Sequence, residues 1–116
     1  MRRTIPVSVA APIACSLDRD AYNERIAEFA ELFRVGLIGR ERTSEGIRFR
    51  FTLSTEIETK IRDLARREHL CCSFFEFRIS VHDHDIWWDA TVADREARPM
   101  LDELLALPDR LTDFAT

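Results

Sequence analysis

The hydrophobic period of this chain alternates between the spacing of a helix and that of a strand, which constrains the fold more than any single motif. Between Asp18 and Gly36 apolar residues recur at helical spacing, with Asp18 as the cap and Gly36 as the stop. Residues 47–53 alternate apolar and polar side chains, as expected of a half-buried strand with a cationic outer face. The same two periods then return, so we predict helix followed by hairpin twice in succession.

The second half of the chain repeats this order. Thr55 and Glu58 form a capping-box pair that opens a second helix, and this helix leads to a pair of adjacent cysteines. A second hairpin follows, and Pro99, which is favoured at a first helical position, opens a third helix. The predicted strands and helices, in chain order, lie at residues 11–16, 18–36, 37–42, 47–53, 55–72, 75–81, 86–92 and 99–107.

The order βαββαββα indicates an α+β domain. We predict a two-layer sandwich, with an antiparallel-rich sheet covered mainly on one face by helices. Its first six elements also match the split βαβ order of ferredoxin-like folds, with an added strand and helix. We expect one domain over residues 1–116, with a core at 11–107, an extended lead-in at 1–10 and a tail without strong pattern at 108–116.

Composition excludes several classes of protein. The 116 residues are 46% hydrophobic, enough for a core that does not need disulfides. No run reaches the ~18 apolar residues of a transmembrane helix, and a net charge of −4 argues against a nucleic-acid partner. The start of the chain resembles a lipoprotein signal only superficially, because Pro6 and Pro12 interrupt its apolar run. We therefore expect a cytoplasmic protein without a membrane or nucleic-acid partner.

Cysteines are the unusual part of the composition. The chain has three, Cys15, Cys71 and Cys72. An odd number that includes an adjacent pair is not typical of a secreted disulfide framework, so we predict thiols that are either core packing or chemistry in a reducing compartment. A CxxC redox motif and the paired CxxC spacing of a structural zinc site are both absent from the sequence.

Helix geometry brings the adjacent cysteines near a carboxylate. At 100° per residue, Glu68 lies roughly 20° from Ile57, near the centre of the apolar stripe of the second helix, and Cys71 and Cys72 flank that line one turn further on. A core-facing carboxylate is costly unless it is paired, and such groups often mark sites. Cys15 would approach this helix end if the sheet were ferredoxin-like. The predicted metal ligands are thus Cys71, Cys72, Cys15 and Glu68.

Simpler interpretations remain open for each of these residues. The cysteines are equally typical of small buried hydrophobic side chains. For Glu68 the alternative is a buried salt bridge to an arginine such as Arg40, Arg48 or Arg50. The C-terminal end of a helix carries negative partial charge, which disfavours a free thiolate, whereas a soft metal ion brings its own positive charge. This contrast favours ligand binding over redox catalysis.

Two further groups of residues are candidates for interactions. His82 and His84 lie two apart in the second hairpin and would share one face of a strand, although a polar loop is the simpler interpretation. Trp87 and Trp88 must lie on opposite faces of the last strand. We therefore expect one ring inside the core and the other exposed or at an interface.

The segment at residues 68–77 resembles a small bacterial domain family with the pattern E-x-x-C-C-x-F-F-x-F. The resemblance covers roughly residues 12–107, and members occur alone or appended to DNA-binding regulators of the mercury-resistance type. It implies that Cys15, Glu68, Cys71 and Cys72 belong to the family pattern. Family members commonly have Pro where this chain has Ser73, and no helix-turn-helix precedes the domain, so DNA binding is not implied.

Two functional hypotheses follow. The first is a cytosolic module that binds a soft metal ion, a metalloid or a thiol-reactive small molecule through Cys71 and Cys72. The second is a non-catalytic interaction domain, a homodimer in which the cysteines are core packing and the exposed sheet face meets the partner. An enzymatic variant of the first hypothesis, in which Glu68 donates a proton to an organic group on a thiolate-bound metal, stays open.

Overall fold

The computed structural model describes residues 18–115, with side chains up to Leu111. Its helices and strands confirm the α+β class, while the predicted strand at 11–16 lies outside the described residues. In chain order the elements are α1 (Arg19–Gly36), β1 (Leu37–Arg42), β2 (Gly46–Thr52), α2 (Thr55–Cys71), β3 (Phe75–Val81), β4 (Asp85–Val92), a 3-10 turn (Arg95–Ala97) and α3 (Arg98–Ala115). Within residues 18–115, no helix combines the length and the apolar composition that a membrane span would require.

The four strands form one antiparallel sheet in the order β1-β2-β4-β3. β2 and β4 are the central strands, and they pair directly with each other, with Phe49 opposite Trp88. Both edges of each central strand are therefore occupied. A ferredoxin-like sheet would place the strand that precedes α1 in the centre, so this variant of the prediction does not describe the observed strand order.

One face of the sheet forms the core. The inward side chains of the central strands are buried, and they pair across the ladder as Ile47 with Ala90, Phe49 with Trp88 and Phe51 with Ile86. Trp88 lies at the centre of an aromatic cluster, with ring centroids 5.9 Å from Phe29, 6.4 Å from Phe51 and 5.5 Å from Phe77. Because Phe29 comes from α1, the core joins a helix layer to a sheet layer as predicted.

The starts of the first two helices follow from their capping residues. The Asp18 carboxylate accepts a hydrogen bond from the Ala21 N–H at 2.9 Å, as the sequence predicted. At α2 the cap is Ser54, whose Oγ accepts from the Ile57 N–H at 3.3 Å, so the predicted capping box at Thr55 lies one residue late. Ser54 has extended backbone angles, whereas Thr55 is already helical.

The last helix extends further than the sequence pattern suggests. α3 continues through Pro108 to Ala115, where we expected a tail without pattern. Proline lacks the N–H for a helical hydrogen bond, so its place inside a helix has an energetic cost. Packing compensates for this loss, because Leu107 and Leu111 on either side of Pro108 are both buried in the core.

Candidate metal centre

The candidate site lies where α2 ends and the chain turns into β3. Glu68 and Cys71 are in the last turn of α2, and Cys72 caps it with its N–H donating to the Glu68 carbonyl oxygen at 2.7 Å. The backbone of Cys72 leaves the helical region there, and its carbonyl accepts from the Phe75 N–H at 3.3 Å, which starts β3. Both a helix and a strand of the core therefore fix the position of the cysteine pair.

Glu68, Cys71 and Cys72 form a compact group of potential ligands. One carboxylate oxygen and the two sulfurs all lie within 4.8 Å of one another. Glu68 and Cys72 are each 1% exposed, while Cys71 is half-buried and gives the group its access to solvent. The helical phase predicted this juxtaposition correctly. Cys15, the fourth predicted ligand, lies outside the described residues.

A buried arginine completes the group. Arg25, from α1, forms an ion pair with the Glu68 carboxylate, and its Nη1 lies 3.7 Å from the Cys71 sulfur. The alternative interpretation of Glu68, a buried salt bridge, is confirmed, but its partner is Arg25 and none of the named candidates. Those candidates pair elsewhere, Arg40 with Asp109, Arg48 with Asp89 and Arg50 with Glu41. A sequence signal for Arg25 exists, because it lies three residues after Tyr22 and four before Phe29, on the apolar stripe of α1.

The two adjacent cysteines differ in oxidation state. Cys71 is a free thiol, whereas Cys72 is disulfide-bonded. We expected free thiols from the odd cysteine count, so this is a correction. It could not have been predicted, since pairing depends on distances that spacing alone does not give.

An ion-pair group holds the two helices that supply the site. Glu28 of α1 accepts from the Arg67 guanidinium of α2 at 2.7 and 2.9 Å, and it also pairs with Lys60. The hydrogen bonds from Arg67 are the main cause of a lowered Glu28 pKa, about 2. Since Arg67 directly precedes Glu68, this contact helps to align Arg25 with the carboxylate across the helix interface.

His82 and His84 belong to no cluster of three or more potential ligand atoms in the described part of the chain. His82 shares a hydrogen bond with the Ser80 hydroxyl at 3.0 Å, and its ring lies 3.8 Å from that of Trp87. The prediction for the tryptophans is confirmed, because Trp88 is 3% exposed in the core and Trp87 lies on the outer sheet face. There the Arg48 guanidinium stacks on Trp87 at 3.8 Å.

Comparison with known proteins gives no relative for this chain. No protein-family model matches it, and neither the curated proteins nor the solved structures contain a match. The resemblance to the E-x-x-C-C-x-F-F-x-F family therefore stays a prediction. What the site does has to be inferred from its own chemistry.

Proposed function

We propose that this protein, in its reduced form, binds a soft metal ion or metalloid through Cys71 and Cys72, with Glu68 as a third ligand. The observation that carries the proposal is the gathering of the three ligand atoms within 4.8 Å. Thiolates select soft ions such as Zn²⁺, Cu⁺ and their heavier relatives. We place the protein in the cytoplasm, where thiols stay reduced.

The spacing of the group suits one ion. With metal–sulfur bonds of ~2.3 Å, two sulfurs on the same ion lie at most about 4.6 Å apart. A separation of up to 4.8 Å therefore needs side-chain adjustments of up to about 1 Å to reach the ~3.8 Å between two sulfurs of a tetrahedral site. An ion would reach the group next to Cys71, which is half-buried, because Cys72 and Glu68 are closed to solvent.

Charge balance narrows the class of ion. Two thiolates and a divalent cation are neutral together, and the Arg25–Glu68 pair adds no net charge. A buried cluster without net charge avoids most of the cost of burying ions. We therefore propose a divalent soft cation as the preferred ligand. The Arg25 guanidinium also stabilises Glu68 as a carboxylate, which argues against the enzymatic hypothesis in which Glu68 donates a proton.

Thermal unfolding of the reduced chain tests this function. We expect Cd²⁺ or Hg²⁺ to raise Tm, because an ion present at 100 times its Kd stabilises the fold by about 2.7 kcal/mol, roughly 10 °C for a domain of this size. The double variant Cys71→Ser, Cys72→Ala should lose the shift. His82→Ala combined with His84→Ala is the matched control and should keep it. Absence of any shift in the reduced wild type would refute the proposal.

The alternative function, a non-catalytic homodimeric interaction domain, is supported by the outer face of the sheet. The outward side chains of the central strands are half-buried or exposed, and the Arg48–Trp87 stack lies among them. Arginine and tryptophan are the side chains that most often dominate protein interfaces. Against this, Arg48 is already paired with Asp89 at 2.8 Å, which leaves the metal centre as the better-supported site.

A further inference from the structure

We propose that two copies of this protein associate through the free edge of β3, so that their four-stranded sheets join into one antiparallel sheet. The inference is independent of metal binding, and it uses the edge of the sheet rather than its outer face. Among the residues that the structure describes, β3 has a neighbouring strand on one side only, because the sheet order is β1-β2-β4-β3. An unpaired strand edge offers its backbone donors and acceptors to a further strand.

The two edges of the sheet differ in how open they are to pairing. The β1 edge has a register shift between Leu37 and Gly39, and residues 40–42 are all charged. Bulges and charges are the features that protect edge strands from pairing. β3 has neither proline nor lysine, and residues 75–81 pair with β4 without a register shift. The β3 edge is therefore the one suited to a further strand.

Alternate residues of β3 direct their backbone groups to this free edge. The His82 N–H donates to the Asp85 carbonyl oxygen at 2.8 Å, so these two residues form a hydrogen-bonded pair. Such pairs alternate along an antiparallel ladder. The backbone groups that point away from β4 therefore belong to Phe75, Phe77 and Ile79. The Phe75 carbonyl oxygen agrees with this direction, because it lies 3.3 Å from Nδ1 of His69 in α2.

A two-fold axis at Phe77 gives a pairing that uses these backbone groups. It places Phe77 opposite the partner's Phe77, and Phe75 opposite the partner's Ile79. The two Phe77 residues then exchange both of their backbone hydrogen bonds. Each Ile79 N–H donates to the Phe75 carbonyl of the other copy, which has a second lone pair beside the His69 contact. Phe77 and Ile79 are half-buried at the margin of the core, so the contact also removes apolar surface from water.

Charge complementarity identifies a second copy of this chain as the occupant of the edge. Glu76 and Arg78 flank Phe77, both are exposed, and neither has an ion pair among the described residues. Asp89, which lies opposite Arg78 in β4, is held by Arg48 at 2.8 and 3.0 Å. About an axis at Phe77, each Glu76 lies opposite the Arg78 of the other copy. Opposite charges directly across two strands stabilise their pairing, and the two-fold axis makes each such contact occur twice.

Sedimentation velocity of the full chain at several micromolar concentrations tests the contact. Metal is removed, and a reductant prevents disulfides between copies. We expect a reversible dimer in the wild type. Either single variant, Arg78→Glu or Glu76→Arg, should raise the dimer Kd by about 10-fold or more, because two attractive contacts become two repulsive ones. The charge swap that combines both changes should return Kd to within about threefold of the wild-type value.

Arg42→Glu is the matched control, because it makes the same change of charge on the opposite edge of the sheet and should leave Kd unchanged. Circular dichroism of each variant checks that the fold persists. A monomer at every concentration would overturn the proposal and leave the β3 edge to another segment or partner. A dimer that the single variants do not weaken, or that the charge swap does not restore, would also overturn it. An axis at Ile79 would give that result, because it places Arg78 opposite Ser80.

Discussion

The guanidinium of Arg25 determines whether the carboxylate at the site is tolerated inside the core. Glu68 is 1% exposed and Arg25 8%, so both charges of the pair are removed from water. The arginines named from the sequence as examples of a partner, Arg40, Arg48 and Arg50, lie in β1 and β2. Strand alternation turns Arg48 and Arg50 to the outer face, away from Glu68, whereas the helical period turns Arg25 inward.

Loss of Arg25 should destabilise the fold strongly. Removal of one member of a buried ion pair typically costs ~3–5 kcal/mol, because the other charge stays in the core. We expect Arg25→Met to lower the free energy of unfolding by about 3 kcal/mol in urea titration. The double variant Arg25→Met, Glu68→Met should recover part of that loss. Arg40→Met, which breaks the exposed pair with Asp109, is the matched control at ~1 kcal/mol or less.

Equal losses for Arg25→Met and Arg40→Met would contradict the assignment of a buried ion pair. A double variant that loses the sum of the two single effects would contradict the coupling between Arg25 and Glu68. The second result would show that Arg25 and Glu68 contribute independently to stability.

At the scale of elements, the phase of α2 was predictable and its start was not. Apolar residues from Ile57 to Leu64 fix which way Glu68 points, and a shift of the cap from Thr55 to Ser54 leaves that phase unchanged. The contact between α1 and α2 was not predictable, because it joins residues far apart in sequence. The Glu28–Arg67 pair is the charged part of this contact.

The stability of the α1–α2 contact should depend on pH. The pKa of Glu28 is lowered from 4.5 to about 2, so the ionised side chain stabilises the fold above about pH 4.5, and this contribution is lost as pH falls towards 2. We expect Glu28→Gln to lower the free energy of unfolding by ~1–2 kcal/mol at pH 7 and by clearly less at pH 3, measured by urea unfolding.

Glu31→Gln is the matched control for this pH dependence. Glu31 lies one turn further along α1, and its pair with Arg34 is well exposed. We expect a smaller effect than that of Glu28→Gln at pH 7. A Glu28→Gln loss that is the same at both pH values would show that packing, not the charge of Glu28, carries the contact.

At the scale of the whole molecule, the sequence predicted the fold class and most elements, because each depends on a local period. Strand order depends on pairing across the sheet, which local periods do not encode. A ferredoxin-like order would place the strand that precedes α1 beside β2, whereas the structure has β4 there. The oxidation state of Cys72 likewise cannot be predicted from a local period. The site was recognised because its three described members lie within one helix end.

The sequence pattern predicts a tail from residue 108, whereas the structure has helix α3 there. Leu111 tests whether this part of α3 belongs to the core. Its side chain is 7% exposed, and it lines a cleft of about 430 Å³ together with Ala30 and Phe33 of α1. We expect Leu111→Ala to lower the free energy of unfolding by ~2 kcal/mol, near the low end for buried leucines, because water can enter this open cleft. Asp109→Asn, on the exposed side of the same turn, should cost ~0.5 kcal/mol or less. Both are measured by urea unfolding followed by circular dichroism.

If residues 108–115 were a tail outside the core, Leu111→Ala would cost no more than Asp109→Asn. A single cooperative transition with the larger loss instead makes α3 past Pro108 part of the same folding unit as the sheet.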